Sequence, residues 1–187
     1  MPLIPDHAAK LAKRGARIEI EAGLGLACGH PDAAYVAAGA TVTSDRRALL
    51  ASAELVLRLR KPPLEEVAFL KPGCVHVSYL DPFNEKELVH KLAACGVSAI
   101  SLEMIPRITR AQKMDVLSSQ ANLAGYVAVI LAAAHARKVF PMMMTAAGTI
   151  TAARVFIVGA GVAGLQAIAT ARRLGARVSA FDTRPVV

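Results

Sequence analysis

Tryptophan is absent from the 187 residues, and aromatic side chains make up only 4% of them. A core must therefore be built from Ala, Val, Leu and Ile, which suits helices packed closely on a sheet. The same scarcity removes the stacking platforms that a single-stranded nucleic-acid binder needs. Cysteines number three, Cys28, Cys74 and Cys95, far apart and with no CxxC or Cys/His ligand spacing. That excludes the usual zinc patterns, and the odd count points to a reducing, cytosolic compartment. Unbroken apolar runs are short: Tyr126 to Ala134 is the longest, and His135, Arg137 and Lys138 follow it, so no membrane-spanning segment is predicted. Blocks of like charge are missing too. The formal net charge of +8 is scattered over positions such as Lys10, Lys13, Arg17, Arg46 and Arg58, which reads as solvated helix faces and predicts no nucleic-acid partner.

What is present is alternation. Asp6 is placed to cap a helix through Ala8 and Leu11, stopped by Gly15. Strands are predicted at Arg17 to Glu21, Glu54 to Leu59, Val75 to Tyr79 and Val97 to Ser101, with short helices opening at Asp32 and Asn84. A long Ala-rich helix is expected from about Asp115 to Arg137. Phe140 to Thr151, with Pro141, Gly148 and Met142 to Met144, reads as a connector whose methionines are packing filler, not a metal site. Strand and helix in turn indicate an α/β chain of two parallel-sheet units, residues 1–138 and 139–187.

The second unit carries the most specific pattern. Val155-Phe-Ile-Val158 is an apolar strand, Gly159-Ala-Gly-Val-Ala-Gly164 fits GxGxxG and opens a helix, and the next strand, Arg177 to Phe181, ends at Asp182. That is the context a dinucleotide fingerprint requires. Gly159 allows the tight turn, Gly161 leaves room for a pyrophosphate, and Gly164 lets the helix approach the strand. The helix N-terminus offers N–H groups and a positive dipole end to phosphates. Asp182 can accept from ribose hydroxyls and repel a 2′-phosphate, which favours NAD, while Arg184 works against that preference. These elements are expected to begin a Rossmann-type NAD-binding domain.

A further stretch, Pro106-Arg-Ile-Thr-Arg-Ala-Gln-Lys-Met-Asp-Val-Leu-Ser-Ser-Gln-Ala-Asn-Leu-Ala-Gly-Tyr126, reads by itself as a polar loop entering an amphipathic helix. Taken with the glycine-rich turn and Phe181-Asp-Thr-Arg-Pro185, it resembles the NAD-binding subunit of the proton-translocating NAD(P) transhydrogenases, in the alanine dehydrogenase superfamily. The resemblance runs along nearly the whole chain. It implies NAD(H) on the glycine-rich domain and hydride transfer to NADP(H) on a partner domain. It also implies a membrane-embedded partner subunit, a homodimer and a cytoplasmic location peripheral to the inner membrane. Carried over by motif, Arg107, Gln112, Asp115 and Ser118 would contact the nicotinamide and its ribose, with Arg107, Gln112 and Asp115 nearest the hydride-transfer chemistry. Val162, Asp182, Thr183 and Arg184 would hold the diphosphate and adenosine. An Arg107–Asp115 ion pair is expected to orient Gln112.

The alternative within the resemblance is an alanine dehydrogenase. Those enzymes use a histidine after the strand matching Val75 to Tyr79, whereas this chain has Asp81 near that position. Their substrate-binding lysine aligns with Lys61, and His76 lies inside the strand as a structural residue. The resemblance also implies a first strand before Pro2 and further strands after Asp182. On that expectation the chain is a piece of a longer subunit, inactive alone and weak in NAD binding, or else a truncated NAD-binding remnant.

Overall fold

The computed structural model describes residues 1–184; Pro185, the last residue of the Phe181–Pro185 motif, lies outside them. The chain forms two compact units, Met1–Pro106 and Arg107–Val187.

The first unit runs α1 (Pro5–Ala12), β1 (Ile18–Glu21), α2 (Asp32–Ala37), β2 (Ala40–Thr43), α3 (Arg46–Ser52), β3 (Leu55–Leu57), α4 (Leu64–Val67), β4 (Val75–Ser78), α5 (Lys86–Ala94) and β5 (Ser98–Ser101). β1 and β2 pair in parallel from Ile18 opposite Ala40, while β3, β4 and β5 form a separate parallel sheet, Leu55 opposite Val75 and Val75 opposite Ser98. Each sheet has its own core. Ile18, Ile20, Tyr35, Ala40 and Ala8 close one, and Leu50, Val56, Val67, Leu88, Leu92 and Val97 close the other.

Asp6, expected to cap α1, lies inside it, while α2 opens at Asp32 as expected. α1 starts at Pro5 behind Ile4, with Asp6 inside its first turn, where a fixed φ and a negative charge both suit the helix start. Asp32 spends its carboxylate on the Gly23 N–H, at 2.9 and 3.1 Å, and so ties down the loop after β1. Asp45 does cap α3, accepting from the Ala48 N–H at 2.9 Å.

The second unit holds α6 (Val116–His135), β6 (Met143–Thr145), β7 (Gly148–Ile150), β8 (Arg154–Val158), α7 (Val162–Arg173) and β9 (Arg177–Phe181). β8 and β9 are parallel, Arg154 opposite Arg177 through Val158 opposite Phe181. Within the segment expected as a plain connector, β6 and β7 form a small antiparallel hairpin around a turn at Ala146 and Ala147, and Gly148, at φ +132°, opens β7 directly after it. The α6 helix overturns the expectation about spanning length. At 20 residues it is long and apolar enough to cross a membrane by length and composition alone. The unbroken run understated it because Ser118, Ser119, Gly125 and their polar neighbours interrupt apolar residues without adding a charge. α6 packs on α7 through a core of Val129, Phe140, Ala167 and Ala171.

Candidate nucleotide site

The glycine-rich turn joins β8 to α7. Gly159 sits at φ +93°, where a side chain would be strained, and its N–H donates to the Phe181 carbonyl at 2.7 Å, fastening the turn to the end of β9. A Cβ on Gly164 would lie 1.8 Å from the Gly159 carbonyl oxygen, so that glycine is required by the fold. Gly161 is different. It occupies the N-cap of α7 in extended backbone, with no side-chain cap, and a Cβ there would meet nothing nearer than the Arg184 Nη2 at 3.9 Å. The fold does not need a glycine at 161, whereas a ligand approaching the backbone does. Beyond it, the Val162, Ala163 and Gly164 N–H groups have no intrahelical acceptor, which makes this helix end a place for an anion.

α6 lies directly over that helix end. A Cβ on Gly125 would fall 2.1 Å from the Ala163 carbonyl oxygen, so the two helices touch backbone to backbone there. The crossing brings Arg107 and Ser118 to the same cavity, about 360 Å³, as Gly159, Gly161, Val162 and Gly164. Leu117, Ala121 and Ala163 complete its lining. These three lie within the two stretches quoted above but carry no assigned role there, and neither does Gly125; a lone glycine in an Ala-rich helix was the available signal.

Gln112 and Asp115 are not in that lining. Gln112 is exposed on a short 3₁₀ turn, Thr109–Met114. Asp115 is the N-cap of α6, accepting from the Ser118 N–H at 2.9 Å and the Ser118 hydroxyl at 2.6 Å. These bonds hold its carboxyl below the ordinary aspartate range, with a smaller contribution from the Arg107 charge. The expected Arg107–Asp115 ion pair is not formed among the described residues; helix capping claims the carboxylate first.

At the other end of the turn, Asp182 accepts from the Ala160 N–H at 2.7 Å and from the Arg184 backbone N–H, Nε and Nη2 at 2.9, 3.0 and 3.0 Å. Arg184 first, and then the Ala160 N–H, hold its carboxyl well below the usual range. Thr183, exposed, lies between them.

In the first unit, the Lys61 ammonium is bonded to Glu85 and lies 3.8 Å from Asp81. Asp81 adopts φ +53° and accepts from Asn84 Nδ2 at 2.8 Å. The Glu103 carboxylate fixes this turn by accepting from the Leu80 and Asp81 N–H groups and the Ser101 hydroxyl. Burial opposes ionisation of Glu103, but these bonds outweigh it and lower its pKa. Among the described residues no cluster of His, Cys, Asp or Glu is arranged for a metal.

Comparison with known proteins agrees with this architecture. Residues 1–124 match the model for the alanine dehydrogenase/PNT N-terminal domain, and residues 128–187 that for the C-terminal domain. An NAD(P) transhydrogenase subunit alpha protein of Rickettsia prowazekii is 42% identical over 186 residues, covering 97% of this chain and 49% of that protein. Its namesake from Rhodospirillum rubrum is 45% identical over 185 residues, covering 96% and 48%. The crystal structure of transhydrogenase from Sinorhizobium meliloti superposes with a TM-score of 0.92 at 49% identity, covering 98% of this chain and 52% of that one. The chain thus spans about half the length of the curated relatives it matches. With both domain models matched in order and the fold reproduced, the chain belongs to the alanine dehydrogenase/PNT family.

Proposed function

We propose that the chain is the NAD(H)-holding component of a proton-translocating NAD(P) transhydrogenase, in which hydride passes between NADH and NADP on a partner domain. The observation that carries this reading is the cavity where the open Gly161 backbone and the free end of α7 meet Arg107 and Ser118. Its 360 Å³ lies in the range of small-molecule sites. The nicotinamide, when bound, supplies the hydride. The protein's role is to bind, orient and exclude water. Val162 and the N–H groups behind it face the diphosphate. Asp182, kept ionised by Arg184, accepts from the adenosine ribose, with Thr183 and Arg184 beside it. Ser118, anchored by Asp115, and Arg107 address the nicotinamide end, and exposed Gln112 faces the partner. Residues 1–138 form the first functional domain, with α6 as connecting helix, and 139–187 begin the NAD-binding domain. A membrane-embedded subunit, an NADP(H)-binding domain and a second copy complete the assembly at the cytoplasmic face of the inner membrane.

Alanine dehydrogenase chemistry fits less well. Position 81 is Asp, which offers no imidazole for proton transfer. The Lys61 ammonium is already engaged by Glu85 and Asp81, so a substrate carboxylate would have to displace them.

The test is titration of the whole chain with NADH against NADPH, followed by nucleotide fluorescence, with circular dichroism as the folding control. Phe156 and Val158 stand uncovered on β8, so saturable binding weaker than low micromolar is expected, with NADH preferred and Gly161→Val abolishing it. Equal affinity for both nucleotides, or binding indifferent to Gly161→Val, would overturn the assignment.

A further inference from the structure

Ser118, Ala121, Gly125, Val129 and Ala133 follow one another along α6 at spacings of three and four, so they share one stripe of the helix. At its far end the stripe meets α7 through side chains, Val129 and Ala133 packing with Ala167 and Ala171. At Gly125 it meets α7 through backbone, because the carbonyl of Ala163, in the first turn of α7, occupies the place of a Cβ. Beyond that point Ala121 and Ser118 line the cavity that Arg107, Gly161, Val162 and Gly164 also face. The backbone contact thus stands between the packed part of the crossing and the cavity.

Glycine inside a helix is less favourable than alanine, and Gly125 is the one glycine of α6. Its φ is not positive, so close approach to α7 is what the residue supplies. With alanine there, α6 must lift by roughly 0.9 Å to bring the Cβ from 2.1 to 3.0 Å from the Ala163 oxygen. A rigid lift moves Ser118 by the same amount. A tilt about Val129 scales the movement by eleven residues over four, to about 2.5 Å. Asp115 holds the Ser118 N–H and hydroxyl at 2.9 and 2.6 Å, so movement of α6 passes directly to that hydroxyl. Either displacement is enough to break a hydrogen bond to a ligand.

We propose that Gly125 is a positioning residue for the nicotinamide half of the bound dinucleotide. By seating α6 on the Ala163 carbonyl it fixes how far Ser118 and Arg107 stand from the free end of α7. This role rests on the nucleotide reading above and adds to it a residue that touches no ligand. The diphosphate half depends on Gly161 and Val162, which a lift of α6 leaves in place. Only the nicotinamide half, which must reach both helices at once, depends on the gap between them.

Calorimetric titration of the whole chain with NADH and with ADP-ribose, which lacks the nicotinamide, separates the two halves. Gly125→Ala is compared with Val129→Ala, which removes buried contact from the same crossing but leaves the backbone contact untouched. Circular dichroism checks folding, and trimethylamine N-oxide is added to every sample where either variant is incompletely folded. Gly125→Ala is expected to weaken NADH at least tenfold and ADP-ribose less than twofold, while Val129→Ala moves neither by more than twofold. Equal weakening of both nucleotides, unchanged NADH binding, or the same split in Val129→Ala overturns the proposal. So does a Gly125→Ala chain that stays unfolded where Val129→Ala folds, because the fold alone would then require the glycine. NADH binding that ignores Gly161→Val would overturn the nucleotide reading, and this role with it.

Discussion

His76 offers the sharpest test of the physical reading. It lies at the centre of the β3–β4–β5 sheet, opposite Val56 on one side and Ala99 on the other. It is fully buried, and neither ring nitrogen has a hydrogen-bond partner. Burial first, and the nearby Arg58 charge second, lower its pKa from 6.5 to about 4. The unfolded chain then takes up the proton near pH 6.5, while the folded chain takes it up only near 4. Stability carried by the neutral ring is therefore fully present above pH 6.5, falls as pH drops through the interval and levels off below about 4. Two and a half pKa units correspond to roughly 3 kcal/mol, of which about 2.5 kcal/mol is lost between pH 7.5 and 4.5. His76→Leu removes that loss and two unsatisfied nitrogens, so it should stabilise the chain at neutral pH and more at acid pH. Urea unfolding of both proteins at the two pH values isolates the difference, because the depressed carboxylates Glu66 and Glu103 titrate in both. NMR titration of the His76 ring reads the same quantity directly. A ring that titrates near 6.5, or an acid-induced difference below about 0.5 kcal/mol, would refute the argument.

The remaining predictions concern the nucleotide site and Lys61. Gly161→Val should leave the circular dichroism and melting of the chain unchanged yet abolish NADH binding. Gly164→Ala and Gly125→Ala each drive a Cβ within 2.1 Å of a carbonyl oxygen and should cost about 3 kcal/mol or more in the second unit, read as a fall in melting temperature. Asp182→Ala frees the Ala160 N–H and should raise hydrogen exchange at residues 159–161 even without nucleotide. Arg184→Ala should sharpen discrimination against NADPH, since it leaves the Asp182 carboxylate uncompensated; an unchanged NADH/NADPH ratio would show that Asp182 does not face the ribose. Asp81→His should not create pyruvate-dependent NADH oxidation while Glu85 still holds Lys61, and activity in that single variant would show that the internal ion pair is no barrier.

Legibility followed the range of the forces. The β8–turn–α7–β9 unit could be read because its signals are local: an apolar run, spaced glycines, a helix stop at Gly175 and a second strand ending at Asp182. The α/β class could be read from alternation for the same reason. β2 and α3 carry no such signal because Ala40–Thr43 and Arg46–Ser52 are short and their burial comes from contacts made elsewhere in the fold. The Met143–Ile150 hairpin escaped because its strands are three residues each and wholly exposed. Gly125 matters through Ala163, 38 residues away, and Glu103, besides its local bond from Ser101, through Asp81 and Leu80, 22 and 23 residues away. Asp115 shows how a local force displaces a longer one. Opposite charge suggested a pair with Arg107, but the free N–H groups of α6 stand three residues away and take the carboxylate first.

The glycines of the turn separate what the fold requires from what a ligand requires, and that separation supports the site better than the motif does. Gly159 answers to a positive φ and Gly164 to a carbonyl 1.8 Å away; any tight strand–helix turn of this shape would need both. Gly161 answers to neither, since its backbone is extended and its surroundings are open. A side chain there would be tolerated by the protein and would fill only the space in front of the free end of α7. Within the pattern, Gly161 is therefore the glycine that the described structure does not explain, and it supports the proposed site. Asp182 has a comparable double position. It holds the turn closed through Ala160 and presents an ionised carboxylate at the strand end, while Arg184 covers that charge. In the proposed function the preference between nucleotides would rest on how far Arg184 moves aside for the ribose, which comparing the two nucleotides in the wild type and in Arg184→Ala measures.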